Sequence, residues 1–242
     1  MSIFFYSIIK YTGVMEIPLN FVYLIATLPF VVIWGCMFFI RKDLRQEMLV
    51  MSFIIGTASV LTSYHWWTSD WWRPLTITGT RVGFEDFIIG FTSGGIMSSA
   101  YEFFFKKALY QKVKTFNHLG LITLMGLVFL TELLIKSFNV TTFYASSIAM
   151  MVVGIVMMTL RKDLLQNAFI SALLMTGISV LFYATILCIS PEWIQKTYLP
   201  TLSGITIIGV PAEEFVFWFL AGFLFGPFYE YWKGAKLRAI KK

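Results

Sequence analysis

The chain has 242 residues, 58% hydrophobic and 13% charged, with a net charge of +6 and a mean hydropathy of +0.76. A soluble domain carries about 25% charged residues, so this composition excludes a water-soluble globular protein and points to an integral membrane protein. Two cysteines, Cys36 and Cys188, sit in apolar runs and support neither a disulfide framework nor a thiolate metal site.

Seven apolar runs reach the about 20 residues that a membrane-spanning helix needs. They fall near residues 17–40, 47–67, 84–105, 116–136, 140–160, 167–189 and 207–232. Met1–Tyr11 lack a basic leader and a small-residue cleavage site, so they are not read as a signal peptide, and residues 1–16 are expected to lie along the interface. Of the 19 Lys and Arg residues, 14 lie on one side of this layout. These are Arg41, Lys42 and Arg45; Lys106, Lys107, Lys112 and Lys114; Arg161 and Lys162; and Lys233, Lys236, Arg238, Lys241 and Lys242. Lys10, Arg73, Arg81, Lys136 and Lys196 lie on the other. Basic loops mark the cytoplasmic face, so the N-terminus is expected outside and the C-terminus in the cytoplasm. The positive charge is a topology signal, and nucleic acid is not an expected partner.

The chain also repeats internally. Arg41-Lys42-Asp43-Leu44 recurs as Arg161-Lys162-Asp163-Leu164, an offset of 120 that Gln46 and Gln166 keep. Further on the offset is 128: Glu85 matches Glu213, Phe87 matches Phe215, Phe91 matches Phe219, Gly94 matches Gly222, and Tyr101-Glu102 matches Tyr229-Glu230. The expected fold is an all-α integral membrane protein of seven transmembrane helices. Two parallel three-helix repeats, residues 1–115 and 137–242, flank a linker helix at 116–136, a 3+1+3 layout. Such repeats are related by an axis along the membrane normal, and sites form where the halves meet.

The chemistry is expected at two acidic pairs. Gly209-Val210-Pro211-Ala212-Glu213-Glu214-Phe215 and Val82-Gly83-Phe84-Glu85-Asp86-Phe87 each place adjacent carboxylates at the start of an aromatic, apolar run. A carboxylate at the centre of a membrane helix costs about 2.5–3.5 kcal/mol and is a functional candidate by default. Capping explains one acid per helix, since Pro211 suits a first turn and the N-terminal dipole favours negative charge. It explains a repeated pair less well. Crowding in a dry site would leave a carboxyl group protonated at neutral pH, as acid chemistry on a hydrocarbon requires. Phe215, Phe219 and Trp218, with Phe87 and Phe91, are the expected lining, because ring faces stabilise cations. Trp66, Trp67, Trp71 and Trp72 read mostly as interfacial anchors. Glu102 and Glu230 are expected to pair with Arg41 or Arg161, and Glu132 with Lys136 at i+4. His65 and His118 have no ligand-spaced partners, so no metal site is expected. Asn139-Val140-Thr141 is a weak glycosylation signal. No dinucleotide or Walker fingerprint is present, so no cofactor is expected.

The Pro-x-Glu-Glu element heading the last helix, and three-helix units each with Arg-Lys-Asp-Leu after the first helix, resemble the heterodimer-type lycopene cyclases over nearly the whole chain. In that family the two units are separate subunits in some microbes and one fused chain in others; this sequence resembles the fused form. The resemblance implies an isomerase of carotenoid biosynthesis in a microbial cell membrane, closing the linear ends of lycopene into β-ionone rings without net redox. It implies catalytic roles for Glu213 and Glu214, and by repeat for Glu85 and Asp86. The first half departs from the pattern, with Gly83 in place of proline and Asp86 in place of glutamate. This leaves open a single competent half or another prenyl or terpenoid chain. The expected partners are a hydrophobic polyene and the lipid bilayer, with self-association left open. A 3+1+3 small-solute transporter is the rival reading, although mid-helix polar residues are few. A retinal protein would need a lysine inside the last helix, and residues 207–232 contain none; a non-catalytic carotenoid-binding protein would tolerate loss of Glu213 or Glu214.

Overall fold

The computed structural model describes residues 17–110, 118–200 and 202–240. The interfacial reading of residues 1–16 lies outside these, as do Lys10, Lys112, Lys114, Lys241 and Lys242. Helix α1 spans Leu19–Ile40, and its 22 residues rise about 33 Å, matching a hydrocarbon core of about 30 Å. A 3-10 turn, Lys42–Leu44, leads into α2 (Arg45–Thr62), which continues as a wide π turn, Ser63–Trp67, and a short helical turn, Thr68–Asp70. Helix α3 (Phe84–Phe104), strand β1 (Lys107–Tyr110) and helix α4 (Leu119–Phe138) follow. The second half repeats the order: α5 (Thr142–Leu160), a 3-10 turn at Lys162–Leu164, and α6 (Leu165–Ile189). A short α7 (Glu192–Thr197), the hairpin β2 (Thr206–Ile207) and β3 (Val210–Pro211), α8 (Ala212–Phe225), α9 (Phe228–Lys233) and β4 (Lys236–Ala239) complete it.

Five helical stretches among the described residues are long and apolar enough to cross a membrane: Leu19–Ile40, Lys42–Asp70, Leu119–Phe138, Thr142–Leu160 and Lys162–Ile189. Helices α3 and α8 are not among them. Helix α3 is rich in Gly and Ser, and almost all of it from Ile89 to Glu102 is buried. The run expected as one helix at 207–232 instead breaks after Phe225. Pro227 has no N–H to donate and disfavours the helical conformation at the residue before it. The acid-bearing helices therefore occupy the centre, where protein and not lipid surrounds their polar groups. Val32, Phe39, Ile122, Phe129 and Leu173 of the surrounding helices are exposed, the apolar face that a bilayer would cover.

Small residues let the central helices seat closely. A Cβ on Gly94 of α3 would lie 2.7 Å from the Met51 carbonyl oxygen and 2.6 Å from the Ile55 Cβ on α2. A Cβ on Gly222 of α8 would lie 2.7 Å from the Ser171 carbonyl oxygen and 2.8 Å from the Ala172 Cα on α6. Close backbone approach over glycine is a main source of helix association in lipid, where apolar burial alone gives little.

The two Arg-Lys-Asp-Leu turns fold alike. The Arg41 guanidinium grips Asp43 through two bonds, at 2.9 and 2.7 Å, and Arg161 grips Asp163 at 2.8 Å twice. These hydrogen bonds push both guanidinium pKa values up. The same side chains reach across to the ends of the central helices. Arg41 donates to the carbonyl oxygens of Glu102 at 2.8 Å and Lys107 at 2.6 Å. Arg161 donates to those of Glu230 at 3.4 Å and Ala235 at 2.8 Å. The expected pairing of Glu102 and Glu230 with these arginines is thus corrected: the contacts are to backbone, and the carboxylates point elsewhere. Beyond them β1 pairs antiparallel with β4, Lys107 opposite Ala239.

Replacing Gly94 or Gly222 by Ala is expected to destabilise the protein by about 1–3 kcal/mol, the usual cost of overpacking. Gly126→Ala, where a Cβ meets nothing within 4 Å, is the matched control. Thermal unfolding in detergent would separate them, with Tm lowered for the first two and unchanged for the third.

Candidate active site

Each acidic pair opens a central helix. Glu213 and Glu214 lie in the first turn of α8, behind a tight hairpin whose turn residues Ile208 and Gly209 have φ of 53° and 81°. That geometry needs two left-handed residues in succession, which explains Gly209. Glu85 and Asp86 lie in the first turn of α3, behind Gly83.

Adjacent helical residues project in different directions, and each pair divides its work accordingly. The first carboxylate turns back to brace the preceding loop. Glu213 Oε1 accepts the Ser203 N–H at 2.6 Å, and Glu85 Oε1 accepts the Ile77 N–H at 2.6 Å. The second faces inward. Glu214 Oε2 accepts the Tyr183 hydroxyl, whose oxygen accepts the Trp218 indole N–H at 3.2 Å. Asp86 Oδ1 accepts from Ser63 at 2.9 Å and Tyr23 at 3.4 Å, while its Oδ2 caps the Gly83 N–H at 2.9 Å. All four carboxylates are buried. The Tyr23 and Tyr183 rings both lie edge-on to Phe182, with centroids 6.2 and 5.2 Å away.

Between the halves lies an apolar cavity of about 250 Å³. It is walled by residues of α2 to α6 and α8 and roofed by Trp66, Trp67, Trp71 and Trp72. Pockets that enclose whole small ligands run to about 300–1,000 Å³, so this one suits the end of a long chain. Among its lining residues the one carboxylate is Glu214, whose Oε1 is buried without a hydrogen-bond partner. Four of the wall hydroxyls are tied to their own helices. Thr62, Ser93, Thr131 and Ser146 each donate to a carbonyl of their own helix, at 2.8, 3.2, 2.9 and 3.0 Å. The result is a largely apolar chamber whose one lining carboxylate is Glu214.

The roof is the feature that sequence reasoning undervalued. Trp71 is 3% exposed, and Trp67 and Trp71 stand edge-on to Phe217 at 5.4 and 5.0 Å. Trp66 donates to Glu132 Oε1 at 2.7 Å, and Glu132 pairs with Lys136 at 2.6 Å as expected. The Arg73 N–H bonds the Thr197 carbonyl at 2.7 Å and the Leu199 N–H bonds that of Trp71 at 2.9 Å, fastening the roof to the other half. These tryptophans, read from sequence mostly as interfacial anchors, line the cavity. The π turn carries Trp66 and Trp67, a distortion often found at functional sites; no composition signal marks it.

Of the expected lining, Trp218 is on the cavity wall, joined by its neighbour Phe217. Phe215, Phe219, Phe87 and Phe91 are not lining residues of the cavity. Phe215 packs on Tyr183 at 6.0 Å and Phe219 on Phe169 at 6.5 Å. Phe87 and Phe91 share a stripe, but it faces α1 and α2. Phe91 meets Trp34 at 5.3 Å and Phe53 at 5.1 Å, and Gly56 makes room for both phenylalanines. Nor are the four acids pooled: Glu213, Glu85 and Asp86 are held off the cavity wall. His65 lies against Tyr64 at 5.3 Å, and Asn139 ends α4 in a left-handed conformation at φ 52°.

Residues 141–232 match the family model described as lycopene cyclase. No curated protein and no solved structure matches the chain. The matched segment runs from the start of α5 through most of α9 and holds Tyr183, Glu213, Glu214 and Trp218, whereas Glu85 and Asp86 lie outside it. The second half of the chain is thus similar to the lycopene cyclase family.

Proposed function

We propose that the chain is a membrane-embedded lycopene β-cyclase, an isomerase of carotenoid biosynthesis in which Glu214 is the catalytic acid. The observation that carries this reading is the position of Glu214, the one carboxylate on the wall of a largely apolar, aromatic-roofed cavity, within the segment that matches the family. The chain is read as the fused form, seven helices in a 3+1+3 layout. Its N-terminus is outside and its C-terminus in the cytoplasm of a microbial cell. The paired 3-10 turns, paired acidic first turns and paired glycine contacts support that layout. Helices α3 and α8–α9 would complete the seven.

The mechanism follows from the cavity. One linear end of the polyene enters laterally from the bilayer and lies beneath the tryptophans. Glu214, neutral at the start, gives its proton to the terminal C=C, leaving a tertiary cation. The C=C four bonds away attacks it, closing a six-membered ring and moving the positive charge into the ring. Loss of a ring proton to the Glu214 carboxylate restores a C=C and the acid. Asp86, held by Tyr23 and Ser63 behind the wall, is the alternative acceptor. Atoms and electrons balance without an oxidant, so the reaction is an isomerisation. Tyr183 and Trp218 hold the acid in position, and ring faces of the roof stabilise the cation, by up to about 2 kcal/mol each when desolvated. The hydroxyls of Thr62, Ser93, Thr131 and Ser146, tied to their own helices, offer the cation no nucleophile.

Expression in a bacterial host that accumulates lycopene, with pigments separated by chromatography, tests the proposal. Wild type is expected to yield cyclised product. Glu214→Gln should lower the rate by about 10²–10⁴-fold, the usual contribution of a general acid or base. Glu213→Gln keeps a carbonyl acceptor for the Ser203 N–H and should retain cyclisation. Unchanged lycopene beside well-inserted wild-type protein would overturn the substrate, pointing first to another prenyl chain and then to a transporter. Tyr183→Phe removes the donor to Glu214 and is expected to slow cyclisation about tenfold, a loss of about 1.4 kcal/mol, with unchanged protein level on a blot.

A further inference from the structure

The central helices carry a second acidic constellation at the end opposite Glu85 and Glu213. Glu102 follows Glu85 by 17 residues, about 25 Å along α3, and Glu230 follows Glu213 by 17 residues across the break between α8 and α9. Glu47, from the first turn of α2, joins them. All three are buried, and each presents a carboxylate oxygen within 4.8 Å of the others. None lines the apolar cavity.

Asn167 frames the group. Its Nδ2 donates to Glu102 Oε1 at 3.1 Å and to Glu230 Oε1 at 2.6 Å, and Ser171 donates to its Oδ1 at 2.9 Å. The Ser171 bond fixes which end of the amide faces the carboxylates. This accounts for one oxygen each of Glu102 and Glu230. Glu102 Oε2 and Glu230 Oε2 remain buried without a hydrogen-bond partner. Glu47 stands outside this frame. It is 1% exposed, is directed at the other two carboxylates, and has no partner on either oxygen. The nearby arginines do not answer it, since Arg41 and Arg161 bond Asp43, Asp163 and backbone carbonyls.

Three buried carboxylates thus each bring one oxygen within 4.8 Å of the others, and none of them forms an ion pair with a basic side chain among the described residues. A buried carboxylate is retained only when paired, protonated or bound to a metal. Oxygen-only donors, without imidazole or thiolate, suit hard divalent cations such as Mg²⁺, Ca²⁺ and Mn²⁺. We infer that Glu47, Glu102 and Glu230 bind one hard divalent cation, with Asn167 orienting two of the three ligands. The site joins the halves: Glu47 and Asn167 occupy matching positions in the repeat, as do Glu102 and Glu230.

The test uses the full chain, purified in detergent and stripped with a chelator. Mn²⁺ is titrated and followed by electron paramagnetic resonance, and thermal unfolding is recorded with Mg²⁺, Ca²⁺ or Mn²⁺. Wild type is expected to bind one Mn²⁺ per chain and to unfold at a higher temperature as the cation is added. Glu47→Gln, close in shape, should abolish both effects. Asn167→Ala should weaken Mn²⁺ binding roughly 10–100-fold, as loss of an orienting partner does. Glu214→Gln, at the cavity, should bind as wild type does, which keeps this site separable from the cyclase assignment. Absence of saturable Mn²⁺ binding by wild type together with no thermal response to the three cations would overturn the site, leaving carboxyl groups that merely share protons. Binding by Glu47→Gln as tight as wild type would overturn it equally. Should Glu47→Gln fail to fold, the Asn167→Ala titration decides in the same way.

Discussion

Buried carboxylates are the constraint on which the structure depends. Glu47, Glu85, Asp86, Glu102, Glu213, Glu214 and Glu230 are all buried in a chain whose outer helices are apolar. Lipid cannot solvate them, so protein must. The response is to put polar groups on the inner helices α3, α8 and α9 and surround these with five apolar ones. The glycine contacts, the roof and the arginine staples all serve that enclosure. Two like charges 4 Å apart repel by about 4 kcal/mol at an effective dielectric of 20, a cost that the acids at the cavity end reduce through separate donors: Ser203 for Glu213, Ile77 for Glu85, Tyr183 for Glu214, and Ser63 and Tyr23 for Asp86.

Within each acidic pair the labour is divided by helical geometry alone. One carboxylate anchors a loop and the other enters a tyrosine network. The halves then diverge. Glu214 reaches the cavity through Tyr183 and Trp218, whereas Asp86, one methylene shorter, is held back by Ser63, Tyr23 and the Gly83 N–H. A duplicated frame has thus become an asymmetric chamber, with one acid on its wall and tryptophans contributed by the other half. The same divergence recurs at the far end, where Asn167 stands at the position matching Glu47 and tempers the charge of the cluster.

Much of this was legible in residue spacing. The recurrent Arg-Lys-Asp-Leu turns and the acidic first turns were readable because they are local and repeated, and each folds alike in both copies. What spacing could not reveal is which face of a helix meets which neighbour. Phe87 and Phe91 follow Glu85 at helical intervals, yet Gly56 on another helix draws that stripe toward α2. Trp66 and Trp67 sit where anchors usually sit, but a π turn rotates them onto the cavity. The break at Gly226-Pro227 was written in the sequence and masked by the aromatic run around it. Tyr183 carried no signal, because a single tyrosine within an apolar helix is ordinary until its partner is known.

The ribbon between β1 and β4 has a consequence for assembly. Its strands lie 129 residues apart in sequence, counting Lys107 to Lys236. During synthesis β1 must therefore wait with an unpaired edge while the whole second half is made and inserted. Until β4 arrives, the first half holds its glycine-packed helices together but lacks this seam. Closing that seam is a long-range event, slow in the way that non-local pairings are, and it commits the two halves to each other.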